Sequence, residues 1–360
     1  MVTSMASRRN FLTGIIASSS FPRLSWADAG NPKFLAASKL PNGKYVLCGI
    51  NASGEDVFKI PLPGRGHAAS AHPTSPEAVA FARRPGRFAL VINCMNGSII
   101  KKLTPPNNIH FYGHGCYVDE GRILITSENR IDTGEGLLGL WDSQSGYKRI
   151  GEVSSGGIGP HEIKSLPNGK GIMVANGGIR THPDHGRKKL NLDTMRSNIS
   201  HITSNFSLDN IFELPKDLYQ NSIRHLDISD SGEVAFGTQW QGDPSDTVPL
   251  VGLIDLNRKI GLIKLSLAQQ LELKGYVGSI AISRNSQAIS VTSPRGGVAH
   301  IYEDQVLTQK IWRPDICGTV SNSNSFVLTC GSGLFINLQL NGQNIKIKSN
   351  KSWDNHIIAL

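Results

Sequence analysis

The chain has 360 residues, with 37 Lys and Arg against 28 Asp and Glu, a formal charge of +9. No run of Lys and Arg interleaved with aromatics occurs, which argues against a nucleic-acid binder and leaves room for an anionic ligand or partner. Five cysteines, an odd count with no C-x-x-C, argue against a disulfide scaffold and read as small buried hydrophobes.

In chain order, residues 7–12 come first and read S-R-R-N-F-L, the pattern of a twin-arginine export signal. The apolar stretch that follows, to Phe21, is too short to cross a bilayer of about 30 Å at about 1.5 Å per residue. Ser25-Trp26-Ala27 suits signal peptidase. Residues 1–27 are therefore expected to be removed on export to the periplasm, which takes Arg8, Arg9 and Arg23 away and leaves +6 on residues 28–360. No later segment is long and apolar enough to be a transmembrane helix. The twin-arginine route carries folded proteins, so it raises the prior for a bound cofactor without establishing one.

The rest is rich in short strand-like runs such as residues 88–92, 122–126 and 171–175, each bounded by turn residues. Helical periodicity is confined to short candidates near 265–273 and 76–83. A hairpin pattern recurs: a strand entry, a tight turn about six residues on, a second apolar strand, then a small or polar cluster. Copies start at Leu35-Ala36, Gly66-His67, Gly113-His114, Pro160-His161, Arg224-His225, Gly278-Ser279 and Ile316-Cys317. Seven copies in roughly 333 residues give about 48 per repeat, the length of a four-stranded propeller blade. The expected fold is an all-β, seven-bladed β-propeller; six or eight blades, or a two-sheet sandwich, are the alternatives. Trp141-Asp142 is a lone W-D, so the repeats are not of the WD40 type.

In a hairpin the start of the first strand and the end of the second lie at the same end. If each first strand lines the channel, His67, His114, His161 and His225 share one mouth, with Arg84, Glu128, Asn176, Gln239 and Arg295 opening onto the same face. The first two intervals between these histidines are 47 residues each and the third is 64, which marks an insertion expected at about 177–222. It contains Arg180, His182 and Arg187 and should cover that mouth; His72 and His110 are further rim candidates.

Imidazoles converging from separate blades are suited to Zn, Cu, Fe or Ni, or to an axial haem position, with Glu128 and Cys317 as added donors. Against this, each histidine could serve only to bond the next blade. Arg84, Arg180, Arg187, Arg224 and Arg295 suggest bidentate binding of carboxylate or phosphate, or else salt bridges between blades. Glu162 beside His161 and Asp227 beside His225 are strand neighbours expected to point to opposite faces, so neither pair is expected to act as an acid–base dyad. No nucleophile elbow, H-E-x-x-H, Walker loop or dinucleotide fingerprint occurs. A binding propeller for a small ligand, metal or metal complex is thus favoured over a metal-dependent oxidoreductase or hydrolase, and over a protein-docking scaffold.

A set of longer motifs carries a resemblance. They are G-R-G-H (64–67), A-R-R-P-G (82–86), F-Y-G-H-G (111–115), T-S-E-N (126–129), G-I-G-P-H-E (157–162), V-A-N-G-G-I-R-T-H-P (174–183), G-R-K-K-L-N-L-D-T-M (186–195), S-I-R-H-L (222–226) and S-P-R-G-G (293–297). Together they resemble the exported propellers grouped as domain-of-unknown-function family 1513. Arg196 stands where that pattern has proline. The resemblance implies a twin-arginine signal, a periplasmic propeller, and proximity to imelysin-like and di-haem-peroxidase-like iron-uptake proteins as partners. It assigns no reaction, and it leaves iron, copper or haem as the cofactor candidates.

Overall fold

A computed structural model gives the fold and describes residues 24–83, 87–186, 188–255, 257, 259–284, 288–323, 325–339 and 343–360. Arg84, Arg187 and residues 1–23 of the expected export signal lie outside these. Among the described residues, 28 strands form seven four-stranded antiparallel sheets. The inner strands contact one another in sequence and the last contacts the first, so the chain is a seven-bladed β-propeller. Blades 1 to 6 follow in order as residues 66–102, 109–158, 160–213, 221–262, 279–312 and 316–348.

Blade 7 is built from both ends of the chain. Its inner strand is Ser352–Ala359, paired antiparallel with Phe34–Lys39, and Tyr45–Ile50 and Asp56–Leu62 lie outside that. The repeat expected to begin at Leu35 therefore supplies the second and third strands of its blade. Its channel strand comes from the far end of the sequence.

Hydrophobic burial explains the ring. The second strand of each blade is buried on both faces, as in Glu77–Ala82 and Ile289–Ser293, whereas outermost strands such as Lys148–Ile158 alternate between half-buried and exposed. The stretch near 76–83 is this kind of strand, not a helix, because a short continuous apolar run has no period to separate the two. The apolar side chains gather into seven clusters, each straddling one seam between adjacent blades. At the seam of blades 1 and 2, for example, Phe81 and Val91 meet Phe111, Leu124 and Trp141.

The expected insertion narrows to residues 177–197, because Asn198–Ile202 and Leu208–Glu213 are the ordinary outer strands of blade 3. A short helix, Leu267–Leu273, capped by Ser266 and Gln269, links blades 4 and 5. Before the first strand, Trp26 packs on the seam of blades 7 and 1 and its indole donates to the His72 carbonyl at 2.9 Å. Cleavage after Ala27 would remove that contact. No described helix is long and apolar enough to cross a membrane.

Candidate functional site

The inner strands of blades 1, 2, 3, 4 and 7 bring His67, His114, His161, His225 and His356 together. In each of these strands the ladder to its neighbour shifts register at or beside the histidine. Such bulges break the alternation of side chains and re-aim them, here into the channel. His67 Nε2 lies 3.2 Å from His114 Nε2. Ring centroids are 4.3 Å apart for His114 and His161, 4.5 Å for His67 and His356, and 5.0 Å for His161 and His225. His161 Nδ1 and His356 Nε2 are buried and have no hydrogen-bond partner among the described residues. The two residues are only 9% and 5% exposed.

Two of the rings are held from behind by carboxylates. Asp354 Oδ1 accepts from His67 Nδ1 at 3.5 Å and from Arg83 at 2.7 Å, while Oδ2 accepts from Arg65 at 2.7 Å. Burial alone would raise the Asp354 carboxyl; the His67 contact and the two guanidinium groups outweigh it and hold it below the usual carboxylate range. Glu162 Oε2 lies 3.3 Å from His225 Nδ1 and accepts from the Leu226 N–H at 3.3 Å. Burial works against the Glu162 carboxylate, but His225 and Lys164 hold its pKa down. The Glu162 carboxylate meets His225 of the next blade and not its chain neighbour His161, so the pair expected not to act as a dyad is not one, while a carboxylate–histidine pair forms across the seam.

Burial, reinforced for His114, His161 and His356 by neighbouring imidazoles, keeps the protonated forms of these three rings far below their ordinary range. Burial also lowers His67, against the pull of Asp354. These four rings are neutral at neutral pH, the form that binds metals. Nitrogens at about 2.0–2.1 Å from one ion, at octahedral to tetrahedral angles, stand about 2.8–3.4 Å apart. The His67–His114 separation falls in that range. Donor atoms of His67, His114 and His356 lie within 4.8 Å of one another, as do those of Glu162, His225 and His356.

Past the imidazoles, Lys164 Nζ lies 3.5 Å from Asp227 and 3.9 Å from Glu162, and Asp227 accepts from the Ile282 N–H. This string of charges ties blades 3, 4 and 5 together. Asp227 and Glu162 outweigh burial to raise the Lys164 ammonium pKa, while burial raises Asp227 against the pull of Lys164.

The other expected residues divide. Arg224 and Gln239 line a cavity of about 200 Å³ that opens over His67, His161 and His225. Arg295 stacks on Tyr276, a wall of that cavity, at 4.4 Å. The expected insertion contributes Ile179, Thr181 and Lys189 to the lining, and Thr181 is hydrogen-bonded to Tyr112 at 2.7 Å. Glu128 is placed elsewhere. It is fully buried within blade 2, forked onto Arg149 at 2.8 Å by both oxygens. Asn176 is likewise buried at the seam of blades 2 and 3, bonded to Ser155, Asn198 and Ser200. His182 caps a turn by accepting from the Asp184 N–H and does not line the cavity. Arg180 reaches the Asp132 carbonyl of blade 2. Cys317 is buried with its thiol toward carbonyls of the next blade, and burial raises its pKa, so it is no thiolate donor. His72 lies at the far end of its strand against Tyr117, away from the cluster, while His110 packs behind Tyr112.

The sequence reading missed His356 and the orienting Asp354. Both sit on the strand that closes blade 7, and D-N-H at 354–356 falls in no hairpin copy because its partner strand, Phe34–Lys39, lies at the other end of the chain. A search for the missing channel strand of the first copy would have found it.

Solved structures match the fold at low identity. Hydrazine synthase of Kuenenia stuttgartiensis aligns with a TM-score of 0.60 at 9% identity, covering 87% of this chain and 94% of that one. U3-55K aligns at 0.57 and 12%, covering 91% of each chain. Virginiamycin B lyase from Staphylococcus aureus aligns at 0.56 and 12%, covering 83% of this chain and 92% of that one. These likenesses concern architecture alone. No curated protein matches the chain. The model of the family described as "Protein of unknown function (DUF1513)" matches residues 60–360, and the chain belongs to that family.

Proposed function

We propose that this propeller binds a transition-metal ion at the histidine cluster on its axis, in the periplasm, as a metal-handling accessory. The observation that carries the reading is a pair of buried imidazole nitrogens, on His161 and His356, without partners among the described residues and inside a group of five rings. A buried polar atom with no partner costs free energy, about 1–3 kcal/mol each, and an ion would remove that cost for several rings at once. Carboxylates behind His67 and His225 are the outer partners that metal-binding histidines commonly have. Rings this close leave no slot for a macrocycle, which favours an ion or small complex over haem. Imidazole suits Zn, Cu, Fe and Ni; iron in particular rests on the resemblance. The arginine pair at Arg8-Arg9 supports the periplasmic setting.

Elemental analysis of protein purified from the periplasm tests the reading. Near-stoichiometric metal is expected in the native protein, and less than a tenth of it in a His114→Ala, His356→Ala double variant that retains its β circular dichroism. Metal-free native protein that also fails to take up Zn(II), Cu(II) or Fe(II) would refute it.

A further inference from the structure

The cavity over the imidazoles has a chemistry of its own. Among the described residues its lining includes Lys189, Arg224 and Arg83, the last already paired with Asp354 at 2.7 Å, and no carboxylate side chain. Arg295 adds a fourth cation just behind Tyr276. Lys189 feels this: burial, then Arg224 and Arg295, depress its ammonium pKa. Hydroxyl, amide and phenol donors from Thr181, Gln239 and Tyr112 complete the walls. The floor is formed by His67, His161 and His225, the rings of the cluster itself. At about 200 Å³ the space is smaller than drug-sized sites of about 300–1,000 Å³.

We propose that this vestibule takes a small multi-carboxylate anion that supplies the remaining ligands to an ion held by the histidines. The proposal deepens the metal reading and rests on it. A positive mouth repels a bare dication and attracts an anionic chelate, so the ion and its carboxylate partner arrive as one complex. Guanidinium groups match carboxylates bidentately, and the opposite end of the anion then points at the imidazole floor.

Citrate is the probe, titrated calorimetrically into metal-free protein and into protein loaded with Zn(II), with glycerol as a neutral control. Citrate is expected to bind both forms, at least 10-fold more tightly when Zn(II) is present, with Zn(II) retained. Arg224→Gln with Lys189→Gln should weaken citrate at least 10-fold and leave Zn(II) binding in its absence intact or tighter, since two repelling charges are gone. Equal affinity with and without Zn(II), extraction of Zn(II) by citrate, binding indifferent to the two charges, or no binding at all would each overturn the proposal. Zn(II) bound without citrate leaves the metal reading standing alone. Citrate bound to a protein that takes no metal removes that reading and this one together, leaving an anion site.

Discussion

Glu162 and Asp354 show how much a single carboxylate decides at this site. Each faces the Nδ1 of a clustered histidine, which turns the Nε2 edge of that ring inward. Glu162→Gln should therefore lower metal affinity about 10–100-fold, measured by competition with a chelator of known affinity, while the far-UV spectrum stays native. An unchanged affinity would show that His225 is not a ligand. The histidines also set a pH dependence. His67, His114, His161 and His356 have folded pKa values below the unfolded value of about 6.5. The unfolded chain thus binds more protons in the acid range, and stability present above pH of about 6.5 is lost as pH falls below it. The melting temperature of metal-free protein should drop between pH 7.5 and 5, and bound metal should raise it most at the upper end, where protons do not compete. A melting temperature that is flat or rises toward acid would contradict this. Four of the clustered histidines were legible in the sequence because they recur at hairpin entries. The carboxylates behind them were not, since Glu162 finds its partner 63 residues away, across a seam no local pattern encodes.

At the scale of the strand, blade 2 explains why Glu128 looked like a site residue. It ends a channel-side hairpin at the expected level, but its side chain turns into the sheet and forks onto Arg149 of the outermost strand, with Thr126 donating as well. The pair is a cross-strand clamp. Arg149→Met should destabilise the protein by about 3–5 kcal/mol, since it strands a buried carboxylate. Chemical denaturation would show the loss, and metal affinity should not move; a large change in metal affinity would return Glu128 to the site. Strand ends are ambiguous from sequence because one residue of register reverses the face a side chain occupies. The inner strands add to this with their bulges. Turn residues such as Pro41-Asn42-Gly43 and Pro167-Asn168-Gly169 are unambiguous by comparison, because Gly43 and Gly169 adopt the positive φ that glycine tolerates best. That is why the hairpins could be counted.

For the whole molecule, the count of seven hairpins translated into seven blades because each blade buries its apolar faces only against its neighbours. The closure of the ring could not be read the same way. The pairing of Ser352–Ala359 with Phe34–Lys39 joins segments that no repeat spacing connects. A chain ending at residue 350 should lose the inner strand of blade 7 and expose the seams on either side of it. Limited proteolysis and near-ultraviolet circular dichroism should then report loss of a cooperative, native packing; a truncated chain as protease-resistant as the parent would contradict the closure.

The joined blade has a bearing on when the proposed ion could be taken aboard. His67 and His356 belong to neighbouring blades, yet 289 positions of sequence separate them. A partly folded chain can hold some of the imidazoles, but the full set assembles only once the two extremities have met. An ion bound by all of them would fasten that meeting point like a rivet at the hub, so that loading and completion of the circle become a single event.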